Sequence, residues 1–519
     1  MSLARSAITV GGYTSLSRIL GFVRDQLIAF TLGTGFVAEA FFVAQRIPNM
    51  FRALFAEGAF NSAFVPLFAK NVESEGLIQA QKFGREVFSV LLAWVLLFCI
   101  IAIILMPWLV YLIAPGFSET PERVQLTVEL FRLCFPYLLF MSLTALLGGV
   151  LNSLNRFTAA AAAPILLNLV MIASNVAAWY FQTGNTATTG YIFAIGVSLA
   201  GVAQFLLLAY ACRRANMVFL PAWPKLTADV KRVLKLSVPG VISGGIMQIN
   251  LLIATMIATS IDRAVGYLYY ADRLYQLPLG IIIVAIGVVL LPTLSRKIRA
   301  GDIQGAMDTK NRALELSLFL TLPSAAALMV IAAPIIHTVF EHGAFNAGDT
   351  QGVALAVMAF AVGLPAYALT KVFQPGFYAR EDTKTPMRFA IISVIVNIAA
   401  SLVLSRFYGH IGIAMATSLA AWTNAVLLYW KLNQLKFFVF DARNKKRLPL
   451  IILSTLVMAG ILWGLDHLLQ AQYSTDTKFL TSLWSLCALV GAGILSYFAA
   501  AQISGAFRIS DLKAALKRQ

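Results

Sequence analysis

Apolar runs long enough to cross a bilayer, about 20 residues each, recur along this chain from one end to the other. Val87–Met106, Leu166–Tyr180, Ile192–Tyr210, Leu316–Ile335, Phe389–Leu404, Ile451–Trp463 and Leu483–Ala500 are the clearest. Inside hydrocarbon only a helix or a closed barrel satisfies its own backbone polar groups, and these runs have the length of helices. No polar stretch between them exceeds about 25 residues, too short for a soluble domain of its own. The expected fold is an all-α polytopic membrane protein of about fourteen transmembrane helices. Only 12% of the 519 residues are charged, half the share in a soluble domain, roughly 25%.

The net charge of +17 would fit a nucleic-acid partner, but its placement argues against one. With the N-terminus inside, the even-numbered connections fall at 70–85, 152–158, 212–235, 295–312, 375–388 and 431–449. Together with both termini they carry 29 of the 40 Lys and Arg residues. The odd-numbered connections carry four: Arg123, Arg263, Arg406 and Lys478. That asymmetry follows the positive-inside rule. It places both termini in the cytoplasm of a bacterium, makes the protein multi-pass in the inner membrane, and assigns the basic excess to anionic phospholipid. Cys99, Cys134, Cys212 and Cys487 show no pairing pattern and read as small core residues. The four histidines are equally dispersed, so no metal is expected.

The chain repeats itself at an offset of about 227 residues. Gln45-Arg46 precedes Pro66 as Asp272-Arg273 precedes Pro292. Gly116-Phe117 pairs with Gly343-Ala344-Phe345, Pro136 with Pro365, and the turn Asn155–Thr158 with Glu381–Lys384. Each unit holds six helices, an even number, so the two repeats are parallel, a recurrent design of secondary transporters. The expected division is an N-lobe at 1–222, a C-lobe at 223–440, and an extra helix pair at 441–519. Substrate in such proteins binds between the repeats.

Seven basic residues lie inside predicted spans: Arg18, Arg24, Arg46, Arg52, Arg132, Arg273 and Lys371. A charge at the centre of an isolated span costs about 2.5–3.5 kcal/mol on insertion scales, so a group of them should face a wet cavity. At 100° per residue Glu39, Arg46, Asn49 and Glu57 fall within about 80° of one another, with Arg52 about 60° outside that stripe. Pro48, Gly58 and, in the first helix, Gly21 are candidate bends. The competing expectation is pairing within the group: Arg24 with Asp25 or Glu57, Arg46 with Glu39, and Arg132 with Glu129. Lys371 can snorkel from a span end. Asn168 and Asn397 serve equally as site residues or as interhelical glue. The surplus of arginine points to an anionic, phosphorylated substrate, because the planar guanidinium donates two hydrogen bonds to a phosphate at once. No GxSxG, P-loop or HExxH motif is present, so the chain reads as a transporter rather than an enzyme. No cofactor is expected, and any driving force would come from an ion gradient or the membrane potential.

The run Ser17–Asp25 resembles the opening motif of the MurJ (MviN) lipid II flippases. So do Arg46-Ile47-Pro48-Asn49 with Phe51-Arg52, Phe55–Phe60, Phe64-Val65-Pro66, Ala114–Phe117, Asn152 with Asn155-Arg156-Phe157, Tyr269–Leu274, Pro375–Tyr378 and Thr383–Pro386. The resemblance implies the multidrug/oligosaccharidyl-lipid/polysaccharide exporter fold: two six-helix lobes in a V, and a C-terminal helix pair forming a groove for a polyprenyl tail. Its implied substrate is lipid II, an undecaprenyl diphosphate bearing a disaccharide-pentapeptide, moved to the outer leaflet for peptidoglycan synthesis. It implies that Arg18, Arg24, Arg52 and Arg273, joined here by Arg46 and Asn49, hold the substrate, and that Asp25, Glu57 and Glu39 take part in gating. Glu39 stands where aspartate is common, and Gln276 where some members carry glutamate. Membrane phospholipids and other cell-wall synthesis proteins are further candidate partners. A flippase for another polyprenyl-diphosphate oligosaccharide, a cation antiporter of the same fold and a non-transporting envelope scaffold are the alternatives. The cation antiporter needs exposed carboxylates, which the arginine surplus disfavours.

Overall fold

The computed structural model describes residues 3–56, 59–473 and 479–507, all of it helix and connecting turn with no strand among the described residues. It divides into two compact units, one reaching from the N-terminus to Gly266 and including His342–Phe345, the other holding Tyr267–Glu341 and the chain from Asn346 on.

The first unit contains α1 (Leu3–Leu32), α2 (Phe36–Ala56), α3 (Ala59–Ile113), α4 (Pro121–Cys134), α5 (Pro136–Ser153), α6 (Thr158–Tyr180), α7 (Ala187–Arg214) and α8 (Ala228–Thr259). Here α1 lies on α6, α2 on α4, and α3 on both α5 and α8. The α3 segment is two helices joined at Gly76, whose backbone (φ 81°, ψ 173°) suits a residue without Cβ. Phe64, Phe68 and Phe83 stack across that bend and are buried. Close helix contacts use small residues, as expected where no hydrophobic drive separates helix from lipid. Gly201 of α7, for example, faces Tyr137 and Phe140 of α5. Buried Ser142 and Ser174 donate to the carbonyls four residues back, Leu138 and Val170, so their hydroxyls need no outside partner.

The second unit contains α9 (Ala264–Arg299, from Tyr267 on), α10 (Ile303–Val330), α11 (Ala332–Phe340), α12 (Ala347–Ala361), α13 (Leu364–Tyr378), α14 (Lys384–Tyr408), α15 (His410–Gln434), α16 (Ala442–Leu469) and α17 (Phe479–Ser504). The helix pairs α14 with α15, α16 with α17, and α10 with α13 and α16 form its body. Asp441 caps α16 through the Asn444 N–H at 2.7 Å. Glu315 of α10 accepts from Arg443 (3.1 Å) and Arg447 (2.7 Å), tying the C-terminal pair to α10.

Ten of these helices, counting α4–α5 and α12–α13 as one span each, are long and apolar enough to cross a membrane, and eleven if the bent α8 is included. The chain is therefore an all-α polytopic membrane protein. At 30 and 36 residues, α1 and α9 are also longer than a span requires, but their polar side chains lower their hydropathy.

The sequence repeat reappears as backbone geometry. Pro136 and Pro365 both occupy the first turn of a helix, α5 and α13, where the missing N–H costs nothing. Asn155 (φ 57°) and Glu381 (φ 62°) are both left-handed. Each is followed by an N–H that reaches five residues back, Arg156 to Leu151 (2.8 Å) and Asp382 to Phe377 (3.2 Å). Cys99, Cys134 and Cys212 are buried as expected, whereas Cys487 is exposed on α17.

Candidate substrate and gating residues

Arg24 sits where α1 crosses α6. Its Nε and Nη2 reach Asp25 Oδ1 at 3.0 and 2.7 Å, and its Nη1 donates to Asn168 Oδ1 at 3.0 Å. Asn168 completes the link by donating to the Ser17 carbonyl at 2.8 Å. Gly21 faces the Asn168 amide, but a Cβ there would stand 3.6 Å away in ordinary van der Waals contact, so this approach does not require a glycine. The bend expected at Gly21 is absent: α1 runs as one continuous helix. The expected Arg24–Asp25 pair is present, and Asn168 joins it as a third member.

Two members of the α2 stripe, Arg46 and Glu39, meet α8 and the start of α9. Arg46 Nε donates to Thr255 Oγ1 of α8 at 3.1 Å. Glu39, with 1% of its surface exposed, accepts from the Val265 N–H at 3.2 Å and pairs with Arg123 Nη1 at 3.7 Å. Glu39 thus takes Arg123, not Arg46, because its place in the first turn of α2 aims it at the α4 end. Arg123 also holds Asp262 at 3.2 Å and lies between the rings of Phe36 and Phe117, 5.6 and 5.5 Å from their centroids. One guanidinium therefore joins α2, α4, the Pro115–Phe117 turn and the α8–α9 turn. Sequence reasoning passed Arg123 over as a loop charge, although it is one of only four basic residues in the odd-numbered connections.

Glu39→Ala and Arg123→Ala should each lower the unfolding free energy in detergent, since each leaves buried polar groups without a partner, at about 1–3 kcal/mol per group. The double variant should lose less than the sum by about 1 kcal/mol. Strict additivity in that cycle would show that the two side chains do not interact.

Around the Glu39 network, unit 1 holds two reciprocal contacts. Gly116, in the loop after the third helix of the first repeat, lies on the backbone of Thr259 and Ser260 at the end of α8. Gly343 and Ala344, in the matching loop of the second repeat, lie on the end of α1: the Ala344 N–H donates to the Phe30 carbonyl at 2.8 Å. Each loop caps the first helix of the opposite repeat, and each contact needs a glycine because the approach is backbone to backbone.

The remaining candidates are spread out. Arg52 is half-buried on α2, and Arg52 and Arg24 both lie within electrostatic reach of Tyr137. Asn49 is half-buried one turn before Arg52, and Arg18 is exposed on α1. Glu57 and Gly58 lie outside the described residues. Arg273, in the second unit, has its guanidinium 4.8 Å from the centre of the Tyr269 ring, and Gln276 donates to Asp272 one turn along. Arg132 does not pair with Glu129. It donates to the Ile103 carbonyl at 3.2 Å, while Glu129 accepts from Gln125 and Tyr191. Between α16 and α17 an open crevice of about 410 Å³ is lined by Leu469, Leu480, Trp484 and Ala488.

A family model described as lipid II flippase MurJ matches residues 28–484. The chain belongs to the MurJ family. Among curated members it is 45% identical to the probable lipid II flippase MurJ of Rhizobium tropici, over all of this chain and 97% of that one. It is 35% identical to the lipid II flippase MurJ of Burkholderia cenocepacia over 89% and 90% of the two chains. A solved MurJ structure described as inward closed superimposes with a TM-score of 0.79 at 27% identity, covering 96% of this chain and 98% of that one. An inward-facing multidrug MATE transporter of the MOP superfamily matches at TM-score 0.69 and 13% identity over 83% of this chain and 98% of its own. That likeness carries the fold alone. Membership in the MurJ family makes this chain a membrane transporter of peptidoglycan biosynthesis, not an enzyme.

Proposed function

We propose that this chain flips lipid II from the cytoplasmic to the outer leaflet of the bacterial inner membrane by alternating access between its two repeats, with both termini in the cytoplasm. The family's name together with a set of five arginines on α1, α2 and α9, where a charge is costly in lipid, supports this reading. Arg18, Arg24, Arg46, Arg52 and Arg273, with Asn49, bind the diphosphate. Asp25, Glu57 and Glu39 take part in opening and closing. The division into 1–222, 223–440 and 441–519 assigns binding to the first two parts and the lipid tail to the crevice between α16 and α17.

The electrical sign of the cycle follows. Moving one charge through 100 mV is worth about 2.3 kcal/mol. With the inside negative, an empty cationic site is drawn inward. A bound diphosphate cancels about two of those charges and eases the outward stroke. Flipping of lipid II in proteoliposomes should accelerate when an inside-negative potential is imposed. A rate indifferent to the potential would sink this drive while leaving the cargo assignment intact. The cargo itself is tested by complementation: expression in a cell depleted of its own lipid II flippase should restore growth. Failure of the correctly inserted chain to rescue would favour another polyprenyl-diphosphate oligosaccharide.

A further inference from the structure

The connection between α7 and α8, residues 215–227, is irregular yet held rigidly. It begins as the connection after α15 does, with a left-handed residue and an N–H reaching five residues back: Asn216 (φ 59°) and Met217 to Cys212, Lys436 (φ 55°) and Phe437 to Leu432. In both repeats a polar side chain from the third helix then grips the connection's carbonyls. Asn311 donates to Val439 O at 3.0 Å, and Gln81 and Arg85 donate to Val218 O and Leu220 O at 3.0 and 3.1 Å. In the first repeat two more bonds follow, from the Ala222 N–H to Ser89 Oγ (3.0 Å) and from Thr227 Oγ1 to Glu86 (2.8 Å). Phe219 stacks on Phe88 and fills the space beside Gly84.

Each connection buries one apolar side chain completely, Met217 after α7 and Phe438 after α15, and they differ in what stays outside. After α15 the exposed apolar residues are Leu435 (38%) and Val439 (48%), with no tryptophan. After α7, Leu220 (64% exposed), Trp223 (84%) and Leu226 (50%) are exposed, on a segment whose backbone is bonded at Val218, Leu220 and Ala222. Their depth can be read from α3. The connection runs along α3 from Gln81 to Ser89, and the apolar span begins at Val87, so Trp223 lies level with the start of hydrocarbon. Tryptophan prefers that boundary. Between residues 213 and 235 stand six Lys or Arg residues and one acidic residue, Asp229. Lys225, Lys231, Arg232 and Lys235 are all exposed.

We infer that residues 218–226 form an interfacial anchor that dips into the headgroup layer and binds anionic phospholipid of the cytoplasmic leaflet. Leu220, Trp223 and Leu226 enter the acyl boundary, and the lysines around them take the phosphates. Each basic side chain near such a surface raises the preference for anionic lipid about fivefold. The anchor sits at the root of α8, the first helix of the second repeat, and holds that root at fixed depth.

The test uses the full chain in vesicles. The protein has eight tryptophans, so the signal of Trp223 is the difference between wild type and Trp223→Phe, a change at an exposed site that spares the fold. In vesicles of phosphatidylglycerol with phosphatidylcholine, lipid brominated near the headgroup should quench that difference and aqueous iodide should not. In phosphatidylcholine alone the shallow quenching should weaken. Lys225→Gln with Lys231→Gln should reduce the preference for phosphatidylglycerol by more than tenfold. Full quenching by iodide would place the loop in water and overturn the anchor in favour of a soluble protein partner. Equal quenching in neutral and anionic vesicles would overturn the lipid specificity on which the inference rests.

Discussion

Arg24→Ala should abolish rescue of a flippase-depleted cell, with transport of lipid II falling by about two orders of magnitude. The size follows from the chemistry: a guanidinium that loses a two-bond fork to a diphosphate gives up about 3 kcal/mol in charged hydrogen bonds, and 1.36 kcal/mol is a factor of ten. A structural explanation competes with this one. Arg24 and Asp25 expose only 11% and 5% of their side chains, and removing one member of a buried pair can cost about 3–5 kcal/mol by stranding the other. The double variant Arg24→Ala with Asp25→Asn, read against Asp25→Asn alone to account for the gating role of Asp25, separates the two, because it removes the stranded charge without restoring the guanidinium. If stability were the cause, the double variant would regain rescue. If Arg24 binds the diphosphate, it stays inactive at normal protein level. Arg24→Lys should fall between, since an ammonium keeps the charge but cannot span Asp25 and Asn168 in one plane. Wild-type rescue by Arg24→Ala would remove Arg24 from the substrate site.

The second large effect is expected at the reciprocal glycines. A Cβ on Gly116 would collide with backbone atoms of Thr259 and Ser260, and one on Gly343 with the Phe30 carbonyl. Backbone cannot step aside as the end of a side chain can. Overpacking of this kind costs about 1–3 kcal/mol, and at Gly343 (φ 64°) the left-handed backbone adds about 1–2 kcal/mol. Gly343→Ala should therefore lower the thermal midpoint in detergent more than Gly116→Ala, and both far more than Gly460→Ala. Gly460 lies within α16 with nothing inside 4 Å of its virtual Cβ, so alanine there is neutral or mildly stabilising. Equal midpoints for all three variants would mean that the loops do not rest on the helix ends.

Much of this molecule is legible along the chain alone. Transfer of apolar residues into lipid is a local, additive energy, so the runs at Val87–Met106 or Leu483–Ala500 declare helices without reference to a partner. The positive-inside asymmetry is likewise a count over connections. The repeat was legible because it preserves local backbone requirements: the first-turn prolines Pro136 and Pro365, and the left-handed turn residues Asn155 and Glu381 that follow α5 and α13. Arg24 with Asp25 could be paired on paper because they are neighbours.

Only the tertiary structure decided which distant groups meet. Glu39 and Arg46 share a stripe on α2, yet Glu39 is paired with Arg123 and Arg46 bonds to Thr255. Arg132 lies one turn from Glu129, yet reaches across to the Ile103 carbonyl of α3. Asn168 meets Arg24 from 144 residues away. Such pairings depend on how each helix is rotated against its neighbour, and at 100° per residue a shift of one or two positions turns a side chain from one partner to another. Periodicity along one helix says which residues share a face. The packing of α2 on α4, α1 on α6 and α3 on α4 settles what that face touches.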